Sequence, residues 1–291
     1  MKKNLLFYCV LLTALTLSAR AEVEVHEDLV YATYGERELM LDLFKPSDQT
    51  RLLPAIIGVH GGGWRKGSKR NFARHARYFA EHGYVAVSIN YRLSGEAKFP
   101  AHIEDCKAAV RWLRANADKY GIDPDRIGAI GHSAGGHLVS LLATSSGVAE
   151  LEGEGGNQEF SSAIQAAVPM GAQSDFETPR IRALTAQPGG SEIWINFMGG
   201  SLDEQDALYK LASPHYHLDA EDPPQMFITG EKDNTDTHAV PIRTSMVELE
   251  IPSGLLIIPE APHPFLPVDR FRDLALTTAL FFFDSYLKGE E

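Results

Sequence analysis

The stretch Arg126-Ile127-Gly128-Ala129-Ile130-Gly131-His132-Ser133-Ala134-Gly135-Gly136-His137-Leu138 reads as a short buried strand, a sharp Gly-x-Ser-x-Gly turn and the opening of a helix. A strand that turns this tightly into a helix forces strained backbone at its central residue, and Gly131 and Gly135 leave room where a Cβ would collide. The strain lifts the Ser133 hydroxyl out of the sheet and nominates it as a nucleophile. A bare match to three fixed residues is expected roughly 0.1 times in a chain of this length. The turn therefore needs support from elsewhere.

Upstream, the apolar run Pro54-Ala55-Ile56-Ile57-Gly58-Val59 leads directly into His60-Gly61-Gly62-Gly63-Trp64. Consecutive glycines at a strand end leave backbone N–H groups bare. Such preorganised donors hold the negative charge that develops on a carbonyl oxygen during acyl transfer, each worth on the order of 3 kcal/mol. Gly62 and Gly63 are the expected donors, with the N–H of Ala134, just after the nucleophile, as a third. Trp64 suits either the lining of a pocket or the anchoring of this loop.

Downstream, Met226-Phe227-Ile228-Thr229-Gly230 is a strand followed by Glu231-Lys232-Asp233-Asn234-Thr235-Asp236. A second strand, Leu255-Leu256-Ile257-Ile258-Pro259, is followed by Glu260-Ala261-Pro262-His263-Pro264-Phe265. Each strand ends in a loop carrying one candidate member of a Ser-Asp-His triad, in which histidine takes the serine proton and the carboxylate fixes and stabilises the imidazole. Asp233, three residues past Gly230, is favoured as the acid; Asp236, further along, is the alternative and could instead cap the helix beginning near His238.

The resemblance that these residues carry extends through Tyr91-Arg92-Leu93-Ser94, Phe99-Pro100-Ala101-His102-Ile103-Glu104-Asp105, Ala109-Val110-Arg111-Trp112-Leu113-Arg114 and Gly121-Ile122-Asp123-Pro124-Asp125-Arg126. The chain resembles bacterial esterases of the α/β-hydrolase superfamily related to the feruloyl and acetyl-xylan esterase group (BD-FAE-like) and, more distantly, the hormone-sensitive-lipase family. That likeness implies an α/β-hydrolase fold, a cofactor-free serine esterase and Asp233 as the acid. His132 stands where the hormone-sensitive-lipase pattern usually has Asp, and no long helical N-terminal cap segment is present. Both features favour the smaller esterase group.

Lys2 and Lys3, an apolar run from Leu5 to Leu17 and then Ala19-Arg20-Ala21 read as a secretory signal peptide over residues 1–21, giving the expectation of a secreted or periplasmic protein. The apolar run is shorter than the roughly 20 residues a membrane-spanning helix needs. Of the 2 cysteines, Cys9 falls in that leader. Cys106 lies in the apolar helical pattern Ile103, Cys106, Ala109, Val110, Leu113, as a buried structural thiol would. The net charge of −12 argues against nucleic acid or an anionic membrane as partner.

Alternation over Val23 to Tyr34 and Glu38 to Phe44 predicts two antiparallel strands joined at Gly35-Glu36. Strands near 54–60, 84–91, 127–132, 165–171, 225–230 and 255–259 then alternate with helices near 70–82, 101–119, 134–146, 237–248 and 268–287. This pattern predicts a single α/β domain over 22–291, with a mostly parallel sheet, helices on both faces and the ligand crevice at the carboxyl ends of the strands. Residues 172–213 read as irregular, a lid-like insertion over an acyl or alcohol pocket.

His215 and His217 lack the further ligands that a zinc site needs and read as a loop pair. His132, by strand alternation, is expected to face away from the Ser133 hydroxyl, and His137 to pack against the sheet. Asp105 with Arg92 or Arg111 reads as a structural ion pair, and Glu150, Glu152 and Glu154 as a solvated loop. The substrate expected from resemblance and export is a short-acyl or hydroxycinnamoyl ester of a plant or algal polysaccharide. An amide hydrolase of the formamidase or oligopeptidase kind with the same triad, and a non-catalytic binding module, are the alternatives.

Overall fold

The computed structural model describes residues 21–186, 191–234 and 238–289. The expected signal peptide lies outside the described residues except for Ala21. Strands β1 (Val23–Tyr34) and β2 (Arg37–Pro46) pair antiparallel across the Gly35-Glu36 turn. Next come β3 (Leu53–Val59), α1 (Arg70–Glu81), β4 (Val85–Ile89), α2 (Ala101–Ala115), α3 (Ala117–Tyr120), β5 (Ile122–His132) and α4 (Ala134–Thr144). Beyond them are β6 (Ala166–Met170), α5 (Pro179–Ala186), α6 (Glu192–Met198), α7 (Asp206–Leu211), α8 (Pro214–His217), β7 (Gln225–Gly230), α9 (Val240–Glu248), β8 (Ser253–Ile258) and α10 (Asp269–Phe283).

The strands form one eight-stranded sheet in the order β1-β2-β4-β3-β5-β6-β7-β8. β2 pairs antiparallel with β1 and β4, and every later pairing is parallel. Every residue of β3, β4 and β6 is buried, as in a parallel sheet covered on both sides. Alternation along β3 sorts the two layers. Ala55, Ile57 and Val59 join a core with Ile103 and Val110 of α2 and Leu138 of α4, whereas Ile56 joins Phe72 and Phe79 of α1 and Phe283 of α10.

Register decides where the site falls. Val59 stands opposite Gly131, His132 opposite Met170, and Gly230 opposite Ile258. The loops after β3, β5, β7 and β8 therefore open on one rim, the carboxyl ends of the strands.

Several boundaries differ from the sequence reading. β5 begins at Ile122 rather than 127, because Ile122 pairs with Leu53 ahead of an irregularity, and regular pairing resumes at Ile127. The helix expected over 101–119 is divided at Asn116, whose side-chain amide donates to the Trp112 carbonyl at 2.9 Å. The described residues within 172–213, expected to be irregular, carry three short helices, α5, α6 and α7, of six to eight residues each. Glu152 is more than a solvated loop residue: its half-buried carboxylate takes Lys107 Nζ at 2.7 Å and an Arg111 guanidinium N–H at 3.1 Å. Asp105 pairs with Arg92 alone of its two expected partners, at 2.8 Å. Cys106 is fully buried.

Candidate active site

The residue between β5 and α4 is Ser133, at φ 58° and ψ −121°, a conformation that costs an L residue on the order of 1–3 kcal/mol. Its surroundings enforce it. A Cβ on Gly131 would lie 2.4 Å from the Gly135 carbonyl oxygen, and one on Gly135 would lie 2.2 Å from that of Val59. The Ser133 N–H donates to the Met170 carbonyl at 2.8 Å, tying the turn to the end of β6.

Ser133 Oγ lies 2.8 Å from His263 Nε2, and His263 Nδ1 lies 2.6 Å from Asp233 Oδ2. The three residues come from the loops after β5, β8 and β7, as the strand-end argument predicts. The other Asp233 oxygen accepts the Asn234 N–H at 2.8 Å. Burial opposes ionisation of Asp233, but its interactions with His238 and His263 outweigh it and hold the carboxyl well below the usual carboxylate range. The alternative acid, Asp236, lies outside the described residues.

The loop after β3 supplies the other half of the site. Its backbone runs through φ 123° at Gly62, 61° at Gly63 and 57° at Trp64. A Cβ on Gly62 would sit 1.9 Å from the Lys66 carbonyl oxygen, so only glycine fits. Among the described residues no acceptor takes the N–H of Gly62, Gly63 or Ala134, and all three line the same cavity as Ser133 and His263. Trp64 does both things open to it: it lines that cavity, and its ring, only 4% exposed, stacks on Phe197 at 4.3 Å and anchors the loop.

The cavity has a volume of about 1190 Å³. Gln173, Arg180, Leu184, Ile193 and Trp194, all from the 172–213 insertion, form part of its wall.

Three histidines depart from, or were missed by, the sequence reading. His132 does not turn away from the site: its Nε2–H donates to the His263 carbonyl at 2.8 Å and its ring lies 5.1 Å from that of His263. Strand alternation alone does not foresee this contact, because the loop carrying His263 folds back over the strand ends to meet the ring. Burial pushes the His132 pKa down to about 4, so the ring is neutral. His137 is buried between the oxyanion loop and the insertion, accepting the Trp64 indole N–H at Nδ1 (3.2 Å) and donating from Nε2 to the Ala212 carbonyl (2.8 Å). His238, which no motif flags, places Nδ1 3.6 Å from Asp233 Oδ2. His215 and His217 diverge, the first meeting Ser245 Oγ and the second the Leu211 carbonyl, each at 2.8 Å.

The family model described as BD-FAE matches residues 41–247. Among curated relatives, "Esterase LipQ" of Mycobacterium tuberculosis is 36% identical over 68% of this chain and 47% of its own length. "Probable carboxylic ester hydrolase LipM" of the same organism is 34% identical over 71% of this chain and 48% of its own. The chain thus spans about half the length of these relatives. Solved structures are similar over nearly all of it. A truncated carbohydrate esterase from gut microbiota superposes with a TM-score of 0.76 and 26% identity, covering 91% of this chain and 98% of that one. A thermophilic esterase of the planctomycete Thermogutta terrifontis does so with a TM-score of 0.73 and 29% identity, covering 93% and 95%. That enzyme has also been solved phosphonylated by sarin. With the glycine loop, the serine turn and most of the sheet inside the matched region, the chain belongs to the BD-FAE family and has the α/β-hydrolase fold.

Proposed function

We propose that the protein is a serine carboxylesterase. The observation that carries this reading is the hydrogen-bonded series Ser133–His263–Asp233, opening beside three backbone N–H groups that have no acceptor among the described residues. His263 Nε2 takes the Ser133 proton as Oγ bonds to the ester carbonyl carbon, and Asp233 holds the imidazole orientation and stabilises the imidazolium. Gly62, Gly63 and Ala134 donate to the resulting oxyanion. Collapse of the tetrahedral intermediate breaks the carbon–alkoxy bond, with His263 returning the proton to the departing alcohol. Water, deprotonated by the same imidazole, then releases the acid and restores the serine hydroxyl.

The proposed substrates are short-acyl or hydroxycinnamoyl esters, with a polysaccharide as the alcohol. The wide cavity and the likeness to a carbohydrate esterase support that choice. Export through the leader over residues 1–21 is proposed with it, and the 172–213 insertion is proposed to act as the wall that selects the ester.

Hydrolysis of p-nitrophenyl acetate, butyrate and octanoate, methyl ferulate and acetylated xylan by wild type and Ser133→Ala tests the reading. Serine-dependent turnover supports an esterase, and release of acetate or ferulate supports the carbohydrate assignment. Absence of serine-dependent turnover on every ester, together with no Ser133 labelling by a fluorophosphonate, would sink it.

A further inference from the structure

The chain carries 39 acidic against 27 basic residues, yet the cavity around Ser133 has the opposite character. Arg65, Lys66, Arg74, Arg180 and Arg272 all line it, and among the described lining residues there is no Asp or Glu. They come from separate parts of the fold: the oxyanion loop, α1, α5 and α10. No single helix or basic run accounts for their convergence.

Their partners differ. Arg272 is bonded to Asp269 at 2.5 Å and to Asp273 at 2.9 Å, so its charge is largely spent within the fold. Arg65 stands 3.9 Å from an exposed Glu192 carboxylate. Lys66, Arg74 and Arg180 are exposed and have no carboxylate within 4 Å among the described residues. Beside them, His75 lines the same cavity, 8% exposed, with no hydrogen-bond partner for its Nδ1 among the described residues. A concave site walled by one sign of charge focuses the field and raises the local concentration of the opposite charge. The acidic exterior acts over little more than a Debye length, about 8 Å at physiological ionic strength, so inside the cavity the nearby cations dominate.

We infer, on the basis of the esterase reading above, that the preferred substrates are esters bearing a carboxylate, received by Lys66, Arg74 and Arg180. The planar two-oxygen carboxylate matches the guanidinium fork of the two arginines. The carboxylate has two possible sources, the alcohol side, as in an acylated uronic-acid residue, or the acyl side, as in a half-ester of a dicarboxylic acid.

Two matched pairs separate the sources and test the inference. 3-Acetoxybenzoate against its methyl ester places the charge on the alcohol side, and monoethyl adipate against ethyl hexanoate places it on the acyl side. The expected result is a kcat/KM at least fivefold higher for the charged member of one pair at low salt. That preference shrinks as sodium chloride rises from 20 to 300 mM. A Lys66→Gln/Arg74→Gln/Arg180→Gln variant loses at least tenfold on the charged member and far less on the neutral one. Arg77→Gln, which removes a charge from α1 outside this cavity, keeps the wild-type ratio. Equal kcat/KM within both pairs, or equal losses on charged and neutral members in the triple variant, overturns the inference while leaving ester turnover intact. Failure of wild type to hydrolyse any of these four esters overturns this inference, and the esterase reading falls with it only if the p-nitrophenyl, ferulate and xylan esters are also untouched and Ser133 takes no fluorophosphonate label.

Discussion

The indole N–H of Trp64 donates to Nδ1 of His137, and because His137 donates in turn from Nε2 to the Ala212 carbonyl, its tautomer is set by two buried partners. The link joins the glycine loop, the first turn of α4 and the end of the insertion in one hydrogen-bonded series. Trp64→Phe keeps most of the ring packing but leaves His137 Nδ1 without a donor. A buried polar atom orphaned in this way costs about 1–3 kcal/mol. Urea denaturation is expected to show that loss, with kcat falling more than KM rises as the loop donors drift.

Asp233→Asn retains the size of the acid but cannot stabilise a charged His263. The expected fall in kcat is on the order of 10³–10⁴. Asp236→Asn is expected to stay within a factor of about three of wild type. Reversal of that order in steady-state assays would move the acid to Asp236.

Gly62→Ala tests the oxyanion loop without touching the triad. The new Cβ overlaps the Lys66 carbonyl oxygen, 1.9 Å away, so the loop must shift its donors. On the order of 10²–10³ in kcat should be lost, the cost of one misplaced oxyanion donor. A variant with full kcat would place the oxyanion elsewhere.

Acid should destabilise this protein earlier than its carboxylates alone would require. Burial pushes His60, His75, His132 and His137 down to about 4, and His102 to about 3. Unfolded, each titrates near 6.5. Between about pH 6.5 and 4 the unfolded chain therefore binds protons that the folded one refuses, and stability falls as pH drops through that window. The slope is on the order of 1 kcal/mol per histidine per pH unit. Urea midpoints at pH 7.5, 6.5 and 5.5 should fall modestly over the first interval and more than twice as steeply over the second. A flat profile throughout would mean these rings gain protons without unfolding.

The triad and the oxyanion loop were legible because sterics write them locally. Gly131, Gly135 and Gly62 occupy positions where a Cβ meets backbone, and strands that run in parallel deliver Ser133, Asp233 and His263 to one rim. What escaped depends on contacts between distant segments. His132 obeys strand alternation until the His263 loop folds over it. Glu152 gains its role only when α2 presents Lys107 and Arg111. The helices α5 to α7 are too short for a 3.6-residue period to stand out among flanking glycines. His238 earns notice only through its 3.6 Å approach to Asp233.

The backbone at residue 133 has a consequence for how such a protein could change. At φ 58°, ψ −121°, glycine would sit without the penalty that serine bears, so folding favours a residue that cannot catalyse. Reactivity and heat resistance pull in opposite directions at this one position. Selection for thermal endurance alone, blind to turnover, would erase the nucleophile while leaving the sheet, the cavity and its cationic wall in place.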